Sequence, residues 1–479
     1  MAAIAGVMSV SSGRGFVTSF SNKCKVFLPN SYSLPRKYCN STNHNEKHYD
    51  IVITGGGMVG TTLACALANN RILENKRILL LESGQRQDYQ LQDKYSNRVV
   101  ALNQQTRTLL SSIGAWQRIE AVRCTPVKKM QVWDACSDAM ITFNEDHLAD
   151  ELAYIVENNL LLHAVSQQLS NKNSVDLIYG AKADDISLPT TPGQDAAITL
   201  QDGQRFGTKL LIGADGVNSL VRKKMGVQYV SWNYEQMGIV ATVKLSEPTE
   251  NIVAWQRFLP SGPVALLPLT DTLSSLVWSV STAEAKKLLS LSEEEFVDSL
   301  NDAFWKIHPK DGMVEAGMRA LGQLLEGLSL HSGFTRQLQP SIRGIVEGTR
   351  AAFPLGFGHA ASYVKPGVAL VGDAAHRVHP LAGQGVNLGF GDVIALVQVL
   401  ADANRNGAVL GDAAYLAKYE TSRQRHNVPT MLAIDALHRL YKGTAAPIVL
   451  ARSLGLQLTN ALPPLKRAIM KHASDHRTS

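Results

Sequence analysis

Among its 479 residues the chain has only five cysteines, and no two of them form a Cys-x-x-Cys pair. An odd count without pairing argues against a disulfide framework or a cysteine zinc site, and for free thiols in a reducing compartment. No uninterrupted apolar run reaches the length of a membrane-spanning helix. Charge is sparse: 18% of residues are charged against 45% apolar, as in an ordinary globular enzyme. No Ser/His/Asp constellation and no metal-ligand cluster stands out. His376 and His379 lie three apart, but two histidines without a third ligand read as part of a turn, not as a metal site. Internal repeats and long low-complexity tracts are also missing.

Acid is absent before Glu46. Residues 1–47 carry six basic residues (Arg14, Lys23, Lys25, Arg36, Lys37 and Lys47) and that single acid, so most of the net charge of +6 lies there. A basic, serine-rich leader of this kind matches a mitochondrial transit peptide. A disordered tail without an address is the alternative. The remainder is close to neutral, which leaves no case for a nucleic-acid surface.

What the chain does have is glycine at the ends of apolar strands. Tyr49 to Thr54 (YDIVIT) reads as a strand, and Gly55 to Gly60 (GGGMVG) fits G-x-G-x-x-G before a helical pattern through Leu63 and Leu67. A second strand, Arg77 to Leu81, ends at Glu82. Strand, glycine turn, helix and acid together form the context of a dinucleotide site. Gly55 permits the tight turn, Gly57 lets a pyrophosphate approach the backbone, and Gly60 lets helix and strand pack closely. Glu82 suits a ribose without a 2′-phosphate, so FAD or NAD fits better than NADP.

Two further turns of this type follow. Leu210 to Arg222 (LLIGADGVNSLVR) runs a strand into Gly213, Asp215 and Gly216, with a helix starting near Ser219. Val368 to Asp392 (VALVGDAAHRVHPLAGQGVNLGFGD) gives a buried strand, Asp373 near its end, a turn at Pro380, and a glycine-rich helix start at Gly383 to Gly385. Strand-end carboxylates accept hydrogen bonds from ribose hydroxyls. Bare N–H groups at a helix start attract anions.

Between Val230 and Val280 the texture changes to valine-, tryptophan- and leucine-rich runs separated by turns, which predicts an inserted antiparallel sheet. Its Trp255 and Trp278 are expected in the sheet core. Lys129 to Phe143 reads as a strand pair turning at Ala135 to Asp138, and a helix capped by Glu157 follows. A helical stretch covers Ser292 to Leu330, after which Ala351 to Leu355 is expected back in the nucleotide domain. A long helix after Asp412 should be kinked or split by Pro429. The tail, Pro447 to His472, is apolar and then basic; it suits either a membrane surface or packing on its own protein.

Together the three motifs resemble, in order and spacing, the class A flavoprotein aromatic hydroxylases of the para-hydroxybenzoate hydroxylase fold. YSNRV, MQVWDACSDAM, YIVEN, SWNYEQ, VAWQRFLPSGPVALLPL, VHPLAGQGVNLGFGD and YETSRQRHN are similar to the ubiquinone-biosynthesis members of that family, from about Tyr49 to Met470. The resemblance implies an α/β fold: a Rossmann-like FAD-binding domain, an inserted antiparallel-sheet substrate domain and a C-terminal helical segment. Its expected boundaries are 1–47 for the leader; 48–125, 151–228 and 350–405 for FAD binding; 126–150 and 229–349 for substrate; and 406–479 for the helical region.

By motif, Gly55, Gly57, Gly60 and Glu82 would hold the ADP half of FAD. Arg98 would lie against its ribityl-pyrophosphate part, Asp215 would brace it, and Asp373 would bind the ribityl or pyrophosphate side. Gly383, Gly385, Val386 and Asn387 would face the flavin's pyrimidine edge. Many relatives place Arg or Gln near the Glu157–Asn158 helix, where this chain has Asn158 and Asn159. The backbone of Pro380 and Leu381 would meet a substrate hydroxyl. No side-chain nucleophile and no metal is implied, since the flavin carries the chemistry through a hydroperoxide. The implied substrates are O2 and a polyprenyl-4-hydroxybenzoate intermediate, hydroxylated at ring position 5 in mitochondrial ubiquinone synthesis. The implied partners are a ubiquinone-synthesis complex, the matrix face of the inner membrane, and ferredoxin with its reductase as electron donor. A polyprenyl reductase on the same fold and a non-catalytic lipid-presenting subunit are the alternatives.

Overall fold

The computed structural model describes residues 47–474, except 87–88, 145–150, 192 and 328–336. Apart from Lys47, the expected leader lies outside the described residues.

The first apolar run forms the strand Lys47–Thr54, in which Ile51, Val52 and Ile53 are fully buried. Strands apolar on both faces suit a parallel sheet covered by helices. This one pairs in parallel with Ile78–Glu82 on one side and Arg205–Gly213 on the other. Arg205–Gly213 pairs in parallel with Val368–Leu370, and Ile78–Glu82 with Val175–Tyr179. In register, Leu81, Thr54, Gly213 and Leu370 form one row across four adjacent strands. Turns far apart in sequence, at Gly55, Ala214 and Val371, therefore leave the sheet side by side at its carboxyl edge, where open α/β sheets bind ligands. Ala183–Ser187, Ala196–Leu200 and Val364–Lys365 complete eight strands. Helix Met58–Asn69 packs with both Asn158–Leu169 and Gly385–Arg405. Gly385–Arg405 is long and apolar enough to cross a bilayer, but most of it is buried inside the protein.

The second sheet has nine strands, ordered His376–Arg377, Ala351–Ala360, Tyr229–Leu245, Leu273–Ser281, Gly262–Pro268, Val253–Leu259, Lys129–Asp134 and Met140–Asn144, with Ile342–Ile345 beside Tyr229–Leu245. All pairs are antiparallel except Val253–Leu259 with Lys129–Asp134. Alternation sets its two faces. Leu276, Trp278 and Val280 point into a core shared with Phe296, Leu300 and Phe304 of the helix Glu293–Trp305. Ser275, Val277 and Ser279 face the other way, into a cavity. Trp278 is core as expected; Trp255 is equally buried yet also reaches the cavity wall.

Several expectations are corrected. Ala351 to Leu355 belongs to the second sheet, with Phe353 opposite Gly238; strand pairing across a long sequence gap leaves no local signal. Glu157 sits at the N-cap of Asn158–Leu169, but its side chain makes no cap bond. It accepts from Ser96 N–H and pairs with Arg123. Pro429 does not split the long helix, which runs unbroken over Ala413–Lys442. The tail forms Ala446–Ala461 and Pro463–Ser474, and the former packs on Gly312–Gly327 and on Met140–Asn144. Buried Arg452 holds it there through two bonds to Asp134, at 2.7 and 3.2 Å.

Candidate active site

A cavity of about 630 Å³ joins the carboxyl edge of the first sheet to the open face of the second. One end is lined by Gly57, Arg98, Asn158, Asp373, Gly383 and Gly385; the other by Val240, Ala265, Leu267, Val277, Phe353 and Leu355.

The glycines at the polar end divide by what surrounds them. Gly55 has φ +102°, and a Cβ there would lie 2.3 Å from the Ala214 carbonyl oxygen; at Gly60 it would lie 1.9 Å from that of Gly55. These two allow the turn and the packing. A Cβ at Gly57 would meet nothing within 4 Å, because Gly57 borders the cavity. The backbone there is open to the cavity, the condition the motif sets for a close phosphate approach. Glu82 accepts from the N–H groups of Gly56 and Gly84, each at 2.6 Å, one per oxygen. Oε1 also accepts from the Ser83 hydroxyl at 3.4 Å, while Oε2 keeps a lone pair for a ribose hydroxyl.

Asp215 caps a helix. Its Oδ2 accepts from the N–H groups of Leu220 and Val221, while its buried Oδ1 has no partner among the described residues. Ser219 accepts from Arg222 N–H beside it. Buried Arg222 then donates to the Ala374 and Val217 carbonyls, at 2.7 and 2.6 Å, tying the middle turn to the late one. The Asp373 side chain makes no hydrogen bond among the described residues; though open to the cavity, it is desolvated by the surrounding protein, which raises its carboxyl above the ordinary range, against the pull of His376 and Arg377. It is an available acceptor facing the cavity. Arg98 and Asn158 also line the cavity, and the buried Asn158 Oδ1 lacks a partner among the described residues.

Gly383, Gly385 and Val386 border the cavity, but Asn387 does not. The Asn387 side chain accepts from Asn103 N–H and the Thr106 hydroxyl, and donates to the Ala101 and Gly383 carbonyls. Fully engaged, it is a lock between chain segments rather than a ligand contact. The Pro380 turn is engaged too. Its carbonyl accepts from Gly383 N–H at 2.9 Å, and that of Leu381 accepts from Gln256 Nε2 at 3.4 Å.

Behind these turns lies a buried polar spine that the sequence did not announce. Asp392 Oδ2 accepts from Gly372 N–H and bonds His376 Nε2 at 2.6 Å; Oδ1 accepts from Arg423 Nε and Asn427 Nδ2, at 2.8 and 3.2 Å. Burial alone would raise the Asp392 carboxyl, but His376 and Arg423 hold it well below the usual range. One turn further on, His379 is fully buried and its Nδ1 accepts from Leu381 N–H at 3.1 Å. Its ring stacks on His438 and meets the edge of Tyr234, whose hydroxyl donates to Asp435 at 2.8 Å. The spacing of Arg423, Asn427, Asp435 and His438 on one helix face was the available signal. Their partners were not. Among the described residues, no three His, Cys, Asp or Glu side chains form a metal group.

A family model described as an FAD binding domain matches residues 48–314 and 349–431. The ubiquinone biosynthesis monooxygenase COQ6 of Danio rerio is 51% identical over 441 residues, covering 91% of each chain. The chain belongs to the ubiquinone biosynthesis monooxygenases. These are FAD-dependent enzymes, and FAD is the cofactor. The human member is likewise 51% identical, over 89% of this chain and 92% of its own, and that of Dictyostelium discoideum 32%, over 91% and 94%. Both are named as mitochondrial. The fold is shared with p-nitrophenol 4-monooxygenase of Pseudomonas putida, at TM-score 0.64 and 18% identity over 90% of this chain and all of that one.

Proposed function

We propose that this monooxygenase hydroxylates the aromatic ring of a polyprenyl-4-hydroxybenzoate intermediate at ring position 5, in mitochondrial ubiquinone synthesis. The observation that carries the reading is the continuity of the cavity, from a glycine-lined polar end to an apolar sheet face. A cofactor and a greasy aromatic ring would share one enclosed space there.

FAD, when bound, supplies the activation of O2. Gly55, Gly57, Gly60 and Glu82 would hold its ADP half, with Arg98, Asp215 and Asp373 beside the ribityl and pyrophosphate groups. Gly383, Gly385 and Val386 would border the ring's pyrimidine edge. The first-turn N–H groups of Gly385–Arg405 concentrate partial positive charge at that edge and favour a negative charge in a water-poor site. Ala265, Leu267, Val277 and Leu355 keep water from the reacting atoms, which otherwise diverts oxygen to hydrogen peroxide. The Pro380 and Leu381 carbonyls each keep one lone pair for the phenol hydroxyl.

On this reading the first sheet with its helices is the FAD-binding domain, the second sheet the substrate domain, and the helices from Ala413 to Ser474 a buttress. The enzyme works on the matrix face of the inner membrane, within a ubiquinone-synthesis complex, and takes electrons from ferredoxin and its reductase. Mass spectrometry of the quinone precursor that accumulates without this protein tests it. A precursor lacking only the position-5 hydroxyl is expected; one already hydroxylated there refutes the regiochemistry. Purified enzyme under labelled O2 should place one label in the product. An unlabelled product would leave a reductase.

A further inference from the structure

We propose that Gln256 is the hydrogen-bond donor that fixes the phenol oxygen of the substrate against the Pro380 turn. The proposal rests on the reading that the reacting ring carries a hydroxyl beside the carbon to be hydroxylated, and it names the group that recognises that hydroxyl.

Gln256 lies in Val253–Leu259, a strand buried along its whole length. Alternation divides the strand between the two faces of the second sheet. On one face Trp255 packs into the core that holds Phe296 and Phe304, and Arg257 donates to the Ala303 and Lys306 carbonyls. Ala254 and Gln256 take the other face and line the cavity. Across the sheet Gln256 stands between Val132 and Ala265, with Val277 and Val240 further along the same row. It is an amide in an otherwise apolar row, and it is only 7% exposed.

An amide side chain offers two N–H donors and two acceptor lone pairs. Among the described residues Gln256 makes a single hydrogen bond, from Nε2 to the Leu381 carbonyl at a long 3.4 Å. A buried polar group left so far short of its partners costs stability. The bond it does make locates the unspent donor beside Pro380–Ala382, whose first two residues border the cavity. Pro380 has no N–H, and the Leu381 N–H is taken by His379. These two residues therefore offer a ligand acceptors only. A phenol oxygen has one hydrogen to give and lone pairs to fill. The Pro380 carbonyl, which keeps a lone pair beside its bond from Gly383 N–H, takes the hydrogen. The second Nε2 hydrogen of Gln256 serves a lone pair. Two bonds to one oxygen fix the direction of its bond to the ring, which one bond does not. The donor also stabilises negative charge on that oxygen, and so the electron density of the neighbouring carbon at which the ring reacts.

The test measures binding to oxidised, FAD-loaded enzyme through the change in flavin absorbance. Its ligands are three short-tailed 3-prenylbenzoates with hydroxyl, amino or hydrogen at ring position 4. The amino group matches the hydroxyl in size and donates, but its lone pair is drawn into the ring and accepts poorly. Wild type should bind the hydroxyl compound most tightly. Gln256→Met, close to Gln in volume, should weaken that compound by roughly three- to tenfold and leave the other two no weaker. Its melting without ligand should change little, since an apolar side chain of similar shape replaces a mostly unpaired amide. If the variant keeps the preference for hydroxyl over amino, or weakens all three compounds by one factor, Gln256 only braces the turn and the proposal is overturned. Wild type alone also decides against it, whether or not the variant folds, by binding the hydroxyl and amino compounds equally and both above the unsubstituted one; the phenol site then stands without this donor. If wild type binds all three equally, position 4 is not read at all, and the reading beneath the proposal falls with it.

Discussion

Replacing His379 tests how the Pro380 turn is held. His379 is the N-cap of the short helix Pro380–Ala382, and its Nδ1 accepts from Leu381 N–H at 3.1 Å. Leu381 is 6% exposed, so water cannot replace a lost acceptor. In His379→Leu the N–H is left buried and unpaired, at a cost of about 1–3 kcal/mol. Asn is among the strongest N-cap residues and can accept the same bond, so His379→Asn should recover much of that loss. Both variants remove the stacking on His438; their difference therefore isolates the cap. Stability would be followed by thermal melting of FAD-loaded enzyme, and turn position by hydrogen peroxide released per product formed. The Leu variant should melt lower and release more peroxide, with the Asn variant between it and wild type. A Leu variant coupled as tightly as wild type, or an Asn variant no better than Leu, would refute the positioning role.

Gly57→Val should abolish FAD retention, roughly a hundredfold or more in affinity by filling the pyrophosphate approach, while the apoprotein's melting stays unchanged because nothing lies within 4 Å of the new Cβ. Gly60→Val should instead fail to fold, since its Cβ meets a carbonyl at 1.9 Å; equal behaviour of the two would contradict the division. Asp392→Ala leaves the buried Arg423 without a counter-charge and should cost about 3–5 kcal/mol by denaturant titration; under about 1 kcal/mol would mean that the spine is not a single unit. Burial, with the charge of His438 beside it, lowers His379 to about 3; burial lowers His438 to about 4 against the opposing pull of Asp435. Protons therefore bind the unfolded state first, so stability should fall as pH drops from about 6.5 toward these values, by up to about 1.4 kcal/mol per unit for each histidine. Melting of His379→Asn from pH 7 to 5 should show a shallower decline; an unchanged slope would remove His379 from the account.

Much of the architecture was legible because it rests on local rules. The two sheets could be told apart by their runs, and the strand pair around Ala135 to Asp138 by alternation. Ser219 and Asp412 sit at helix starts where a short polar side chain was due, and both accept first-turn N–H groups. Ala351 to Leu355 was misassigned because its partner, Tyr229–Leu245, lies more than a hundred residues away. Glu157 was misread as a cap because its carboxylate has a stronger partner in Arg123, which no window around it contains.

The glycine turns were legible in sequence alone, since a glycine just past an apolar strand and before a helical pattern marks the turn by residue type and spacing. So was the need for an acid at the end of the second strand. Only the tertiary structure decided that Leu81, Thr54, Gly213 and Leu370 share one row, which turns separate motifs into one crevice. It also decided that Asn387, apt for a ligand by its place in the motif, is consumed by four internal hydrogen bonds, and that Asp392 and His379 hold the turns from behind. The reason is physical. Backbone conformation is set within a few residues, but a buried polar group is satisfied by whatever the fold brings beside it.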